Sequence, residues 1–333
     1  MSENHPHDRR TPNAAAAAES SDAPGHNHST GHDHSHSHSH APASFGRAFA
    51  IGTALNLGFV VIEVIYGLTA NSVALLADAA HNLADVSGLL LAWGASHLAR
   101  RQPTSTRTYG WGRSTILASL TNAVVLLLSC GAIAVEAMHR INIPQSVLGA
   151  TVMWVAAAGI VVNGMTAMLF MRGREHDLNI RAAYLHMAAD AAVSAGVVIA
   201  ALIIQFTGWA WVDPVTSLAI VVVITIGTWG LLRDSFNLAM DEVPGGIELG
   251  QVEATLKSIP GIAEIHDLHV WALSTTENAL TAHLVQDGTA DGDCLTRQAT
   301  DAIRAAFRIG HITIQVETAE SAGACGQRPL TVV

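Results

Sequence analysis

Charge is what this sequence has little of. Only 13% of its 333 residues are Asp, Glu, Lys or Arg, against about 25% in soluble domains, while 50% are hydrophobic and the mean hydropathy is +0.34. That deficit excludes a chain that meets water on all sides. Cysteine is also scarce: Cys130, Cys294 and Cys325 form no even, closely spaced set. A disulfide scaffold is excluded, and the soluble parts fit a reducing cytoplasm. No G-x-x-x-x-G-K-[ST] run occurs, which argues against an ATP-driven pump. No H-E-x-x-H occurs, which argues against an intramembrane zinc hydrolase. Residues 1–44 contain no apolar core, so no signal peptide is expected. The net charge of −10, from 27 acids against 17 bases, makes nucleic acid an unexpected partner.

What the sequence has instead is long apolar runs. Windows of the length that crosses a bilayer fall near 48–69, 72–97, 115–137, 147–171, 181–206 and 212–232. Six in succession define an integral membrane protein. Arg100, Arg101, Arg107 and Arg113 lie between the second and third windows, and Arg172, Arg174 and Arg181 between the fourth and fifth. The alternate loops carry Arg140 and, in "FTGWAW", no Lys or Arg. The positive-inside rule puts both termini in the cytoplasm.

Three regions follow. Residues 1–44 are a low-complexity tail whose "HNHSTGHDHSHSHSH" suits weak, exchanging metal binding. Residues 45–235 are the membrane domain. From 241 to 320 the pattern turns soluble, in the order α-β-β-α-β, which reads as a small two-layer α+β domain of ferredoxin-like type, with 321–333 as a C-terminal tail. The expected fold is thus an α-helical membrane protein of six transmembrane helices with a C-terminal cytoplasmic α+β ferredoxin-like domain.

The chemistry concentrates in "LLADAAHNLADVSGLLL", where Asp78, His81 and Asp85 interrupt an apolar run. An aspartate at the centre of a membrane helix costs about 2.5–3.5 kcal/mol. His81 and Asp85 are one helical turn apart, on one face. The fifth window repeats the spacing with His186 and Asp190. One H-x-x-x-D pair could be a polar contact in a bundle. Two on different helices would supply two imidazoles and two carboxylates, a tetrahedral set that Zn²⁺ accepts. Asp78 reads as a hydrogen-bond partner of the His81 ring or an acid at the site's entrance. Glu63 and Glu136 read as span-end residues without a role, and Asp213 as a helix N-cap ahead of Pro214.

The segments "ALLADAAHNLADV", "RTYGWGR", "HMAADAAVSAG", "DPVTSL" and "HDLHVWAL…TAHLV…HITIQVE" resemble the cation diffusion facilitator family, in its zinc-type branch, from about residue 47 to 317. The resemblance implies a homodimer of six-helix protomers that exchanges divalent metal for protons, with His81, Asp85, His186 and Asp190 as the transport ligands. It also implies zinc preference through His81, and a cytoplasmic metal site on His266, His283 and Glu317. Gln315 stands where some members have a second histidine, which argues against a binuclear site. Thr104, Arg107 and Trp111 stand where some members bind metal in the loop after span two, so no metal is expected there. The loop's arginines would face lipid headgroups or a partner chain.

Strand alternation places His266 and His269 on opposite faces of the first strand and turns His283 away from Leu280 and Leu284. His311, Gln315 and Glu317 share a face of the last strand. Surface histidines on a dimer face are the other reading of this group. A membrane metal sensor would use only this domain and the tail, leaving the two buried pairs unexplained. Secondary active efflux of Zn²⁺, with Cd²⁺ or Co²⁺ as further substrates, in exchange for protons accounts for more of the sequence.

The tail generates a test. Removing residues 1–44 is expected to raise the zinc concentration for half-maximal flux and leave the maximal rate unchanged, because a tethered weak binder only enriches metal locally. A lower maximal rate at unchanged half-saturation would show a structural tail instead.

Overall fold

The computed structural model describes residues 47–143, 145–171 and 178–326. The histidine tail and Arg172 and Arg174 lie outside these residues. Each of the six apolar windows falls on a helix: α1 (Arg47–Thr69), α2 (Val73–Ala99), α3 (Ser114–Asn142), α4 (Gly149–Met171), α5 (Leu178–Thr207) and α6 (Val212–Ala239). Among the described residues, four stretches are long and apolar enough to cross a membrane: Ser114–Asn142, Gly149–Met168, Tyr184–Thr207 and Val212–Ala239. The described apolar part of α1, Thr53–Thr69, is shorter. Alanines and β-branched residues fill the bundle centre, with Leu75, Ala77, Val152, Ala156, Val197 and Ala201 nearly solvent-free. Small side chains let helix backbones approach closely where lipid supplies no hydrophobic drive. Large apolar residues such as Leu128, Trp154 and Ile226 point outward.

Asp213 departs from its expected role. α6 begins at Val212, with Trp211 at the N-cap making no side-chain cap bond. Asp213 and Pro214 occupy the helix's first turn, where proline costs least. The Asp213 carboxylate instead caps α2. It accepts from the Ser72 hydroxyl, from the Val73 N–H at 2.7 Å and from the Ala74 N–H at 3.4 Å. Ser72 Oγ in turn accepts from the Leu75 N–H at 3.1 Å. A negative charge at a helix N-terminus satisfies orphan donors and complements the dipole. Nearby, the Arg140 guanidinium donates to the Asn71 carbonyl at 2.7 Å, and the Leu148 N–H to the Ala70 carbonyl at 3.1 Å. The start of α2 is therefore fixed to α3, α4 and α6.

The C-terminal domain contains α7 (Leu249–Lys257), β1 (Ile262–Ala272), β2 (Asn278–Gln286), α8 (Gly292–Phe307), β3 (His311–Glu317) and α9 (Ala319–Ala324). The last falls partly in the segment expected to be a tail. The sheet runs β1-β2-β3, antiparallel between the first two strands and parallel between the last two. α8 buries Leu295, Ala299 and Ile303, spaced by four, and Asp291 caps its start. These side chains meet Val252 and Leu256 of α7 and Ile265, Leu268, Val270, Leu280 and Leu284 of the sheet. The opposite sheet face carries the polar residues.

His266 and His269 do not lie on opposite faces. His266 pairs with His283 and His269 with Thr281, so three steps along β1 match two along β2. This β-bulge holds Asp267 at φ 51°, the left-handed region that aspartate tolerates better than most residues. The extra residue shifts the alternation by one, and both histidines come out on the polar face.

The loop after α2 turns inward onto this domain. Arg113 pairs with Asp241 at 2.5 Å, and Arg107 stacks 3.8 Å over the Trp111 ring. Tyr109 meets His311 edge to face, with ring centroids 5.2 Å apart. The Thr275 N–H donates to Thr115 Oγ1 at 3.0 Å. Gly112 approaches so closely that a Cβ there would lie 2.7 Å from the Leu273 carbonyl oxygen. Both Arg107 and Arg113 thus have partners within the chain.

The α2 cap yields a stability test. Asp213→Ala strands buried donors and is expected to cost about 1–3 kcal/mol, read as a lower unfolding temperature in detergent, with Asp213→Asn losing less. Equal stability of Asp213→Ala and the parent would remove the carboxylate from this role.

Candidate metal centre

α2 brings His81 and Asp85 to one face, and α5 does the same for His186 and Asp190. The helices pass in opposite directions, so each histidine meets the other helix's aspartate. His81 Nε2 lies 3.2 Å from Asp190 Oδ1 and 3.6 Å from Asp85 Oδ2. His186 Nε2 lies 3.1 Å from Asp85 Oδ2 and 3.7 Å from Asp190 Oδ2. The four groups form a ring in which imidazole and carboxylate alternate, with the two imidazole centroids 6.0 Å apart. Metal bonds of 2.0–2.2 Å at tetrahedral angles place ligand atoms about 3.3–3.6 Å apart. The His–Asp spacings are close to this, and ligand atoms of His81, Asp85 and Asp190 all lie within 4.8 Å of one another, whereas His186 stands outside that mutual set. Asp190 is 2% exposed and His186 31%. The Asp85–His186 layer, nearer the C-terminal end of α2, is the more accessible one.

Asp78 is close by but does not hold the His81 ring. Its Oδ2 accepts from Ser194 Oγ at 3.0 Å, while His81 Nδ1 is buried without a hydrogen bond. Glu63, read from sequence as a span-end residue, is solvent-free. Its Oε2 accepts from Asn82 Nδ2 at 2.9 Å, beside His81 in the chain, and it interacts with Asp78. α1 therefore adds a carboxylate to the polar interior. The signal for it was available, because an acid within an apolar helix is functional by default. Glu136 is half exposed and pairs with Arg140 at 2.7 Å, as an isolated surface acid would.

A second cluster lies on the polar face of the C-terminal sheet. His266, 1% exposed, stands 5.1 Å from His283 between ring centroids. His266 Nε2 is 3.4 Å from Glu317 Oε2, and His283 Nδ1 is 3.0 Å from Glu317 Oε1. Neither ring nitrogen of His266 has a hydrogen bond, nor has Glu317 Oε2. Buried polar atoms are seldom left so. The Gln315 amide donates to Glu317 Oε1 at 2.7 Å. Asp267, carried in by the bulge, lies 3.6 Å from His283 Nε2 and 2.9 Å from His269 Nε2. Asp267 thus sits on the Nε2 side of His283, whose Nδ1 faces Glu317. The sequence reading missed Asp267 because strand alternation does not foresee a bulge.

The comparisons with known proteins fall on the same two parts of the chain. Residues 49–238 match the cation efflux transmembrane domain, and residues 244–319 match the cation efflux protein cytoplasmic domain. The chain belongs to the cation efflux family of membrane transporters, also called cation diffusion facilitators. It is 35% identical to the cation efflux system protein CzcD of Alcaligenes sp. (strain CT14) over 84% of this chain and 88% of that one. It is 36% identical to the zinc transporter ZitB of Escherichia coli (strain K12) over 81% and 87%. With the cadmium, cobalt and zinc/H(+)-K(+) antiporter of Bacillus subtilis (strain 168) it shares 34% identity over 82% and 89%.

Replacing Asp85 or Asp190 by alanine removes a charged member of a four-membered ring. Each variant is expected to bring metal flux down to the level of protein-free vesicles while eluting like the parent on size exclusion. Near-normal flux in either would move the transport site elsewhere.

Proposed function

We propose that this chain exports divalent cations, zinc foremost, from the cytoplasm in exchange for protons. In this reading His81, Asp85, His186 and Asp190 hold the ion midway across a bundle of six transmembrane helices. The observation that carries it is the alternating ring of two imidazoles and two carboxylates across α2 and α5. Two carboxylates balance the charge of a divalent ion, and imidazole favours zinc over the hard cations that prefer oxygen alone. The names of two of these relatives, one a zinc transporter and the other a cadmium, cobalt and zinc/H(+)-K(+) antiporter, support the same substrates here.

The exchange follows from the ligands. Metal takes only deprotonated groups, so its entry displaces protons, and protons arriving from the other side displace the metal. The accessible Asp85–His186 layer faces the ends of α2 and α5 that carry the arginine-rich loops. With those loops in the cytoplasm, this layer would be the cytoplasmic entrance, and rocking of α2 and α5 against their neighbours would open the Asp190 side. The protein works as a homodimer in a bacterial inner membrane, with both termini cytoplasmic. His266, His283 and Glu317 form a second, regulatory metal site in the cytoplasmic domain; the orphaned nitrogens of His266 support it.

The test is zinc flux into proteoliposomes with an acidic lumen. Zinc is expected to enter as the lumen becomes alkaline, and a protonophore that collapses the gradient is expected to stop accumulation. Zinc entry at the same rate and extent with and without the gradient would overturn proton exchange.

A further inference from the structure

We propose that Cys325 supplies a thiolate to the cytoplasmic cluster and makes it a four-ligand site of two imidazoles, one carboxylate and one sulfur. The inference rests on the reading of His266, His283 and Glu317 as metal ligands and adds the ligand that sets what the site accepts. Cys325 follows Glu317 by eight residues and is not part of the sheet. The short helix α9 returns it to the cluster. Thr318, next to Glu317, caps α9 by accepting from the Ser321 N–H at 3.2 Å, while the Ser321 hydroxyl accepts from the Thr318 N–H at 2.9 Å. Ala322, 1% exposed, anchors the turn. The chain then leaves the helix with Cys325 Sγ 3.8 Å from His283 Nδ1.

One ligand atom from each of His266, His283, Glu317 and Cys325 lies within 4.8 Å of every other. Bonds of 2.0–2.3 Å to nitrogen, oxygen and sulfur at tetrahedral angles require separations of about 3.3–3.8 Å. The contacts of 3.0 Å to Glu317 Oε1, 3.4 Å to Glu317 Oε2 and 3.8 Å between Cys325 and His283 fall near that range, and the pairs that reach out to 4.8 Å would have to draw in by about 1 Å on binding. A cysteine packed beside a histidine would be unremarkable alone. Here the second observation is His266, 1% exposed, whose Nε2 lies 3.4 Å from Glu317 Oε2 in the cluster and has no hydrogen bond. Cys130 lies in the membrane domain on α3 and Cys294 on α8, so neither competes for this role.

The sulfur changes the site's chemistry. Three nitrogen and oxygen ligands alone bind many divalent ions, whereas a thiolate selects zinc and softer ions over magnesium, calcium and manganese. As the metal–sulfur bond forms, the thiol proton passes to solvent.

Cobalt reports sulfur directly, through a near-ultraviolet thiolate-to-metal charge-transfer band that nitrogen and oxygen ligands do not give. Full-length protein in detergent titrated with Co²⁺ is expected to show the band, to keep it in Cys130→Ser and Cys294→Ser, and to lose it in Cys325→Ser. Zn²⁺ is expected to slow alkylation of Cys325 but not of Cys294, read by peptide mass, and to do so equally in Asp190→Ala, where the transport site is broken. No band in the parent, a band persisting in Cys325→Ser, or equal alkylation of Cys325 with and without Zn²⁺ would overturn the proposal. If the parent lacks the band but His283→Ala still loses cobalt visible absorption, only the thiolate ligand falls. If His283→Ala changes nothing, the three-ligand reading falls with it.

Discussion

Hydrocarbon does not solvate charge, and the membrane domain is arranged around that constraint. Asp85 and Asp190 cannot be left alone in a helix bundle, and neither can the imidazoles that accompany them. Bringing α2 and α5 together in opposite directions lets each histidine meet the partner helix's aspartate. Once that ring is closed, the two helices share a register. The remaining helices must then seal it. α1 contributes Glu63 through Asn82, and Ser194 of α5 occupies Asp78. The alanine-rich centre admits backbones close enough for all of this to fit.

At the start of α2 a different carboxylate does comparable work. Asp213 belongs to α6 but satisfies the first turn of α2, so the helix carrying two of the four ring members is held at its start by another segment. An anchored start and a polar midpoint leave little freedom for α2 to slide alone. Motion in this domain is more naturally a tilt of packed helices than a translation of one.

The ring was legible in the sequence because its signal is periodic: His and Asp four apart, twice, in runs that otherwise exclude charge. Helix positions were legible for the same reason, since apolar runs of that length have few other uses. What escaped was set by neighbours distant in the chain. Asp213 before Pro214 looks like a cap for its own helix, and only the packing of α2 against α6 redirects it. Glu63 was discounted by its distance along the span, whereas burial depends on which way it points. The bulge at Asp267 breaks the period-two rule within one strand and reverses the relation of His266 to His269. Cys325 carried no signal when cysteines were weighed only for pairing with one another; the turn of α9 that returns it to the sheet comes from a capping motif in an otherwise unpatterned stretch.

Gly112 is a mechanical joint between the loop after α2 and the C-terminal domain. Where it meets the Leu273 carbonyl, two backbones touch with no side chain between them. Most joints between domains are cushioned, because a long side chain can swing to another rotamer and absorb a shift. Bare peptide has no such slack. A displacement of the β1–β2 turn is transmitted stiffly to the residues that begin α3, and the joint acts as a rigid coupling rather than a spring.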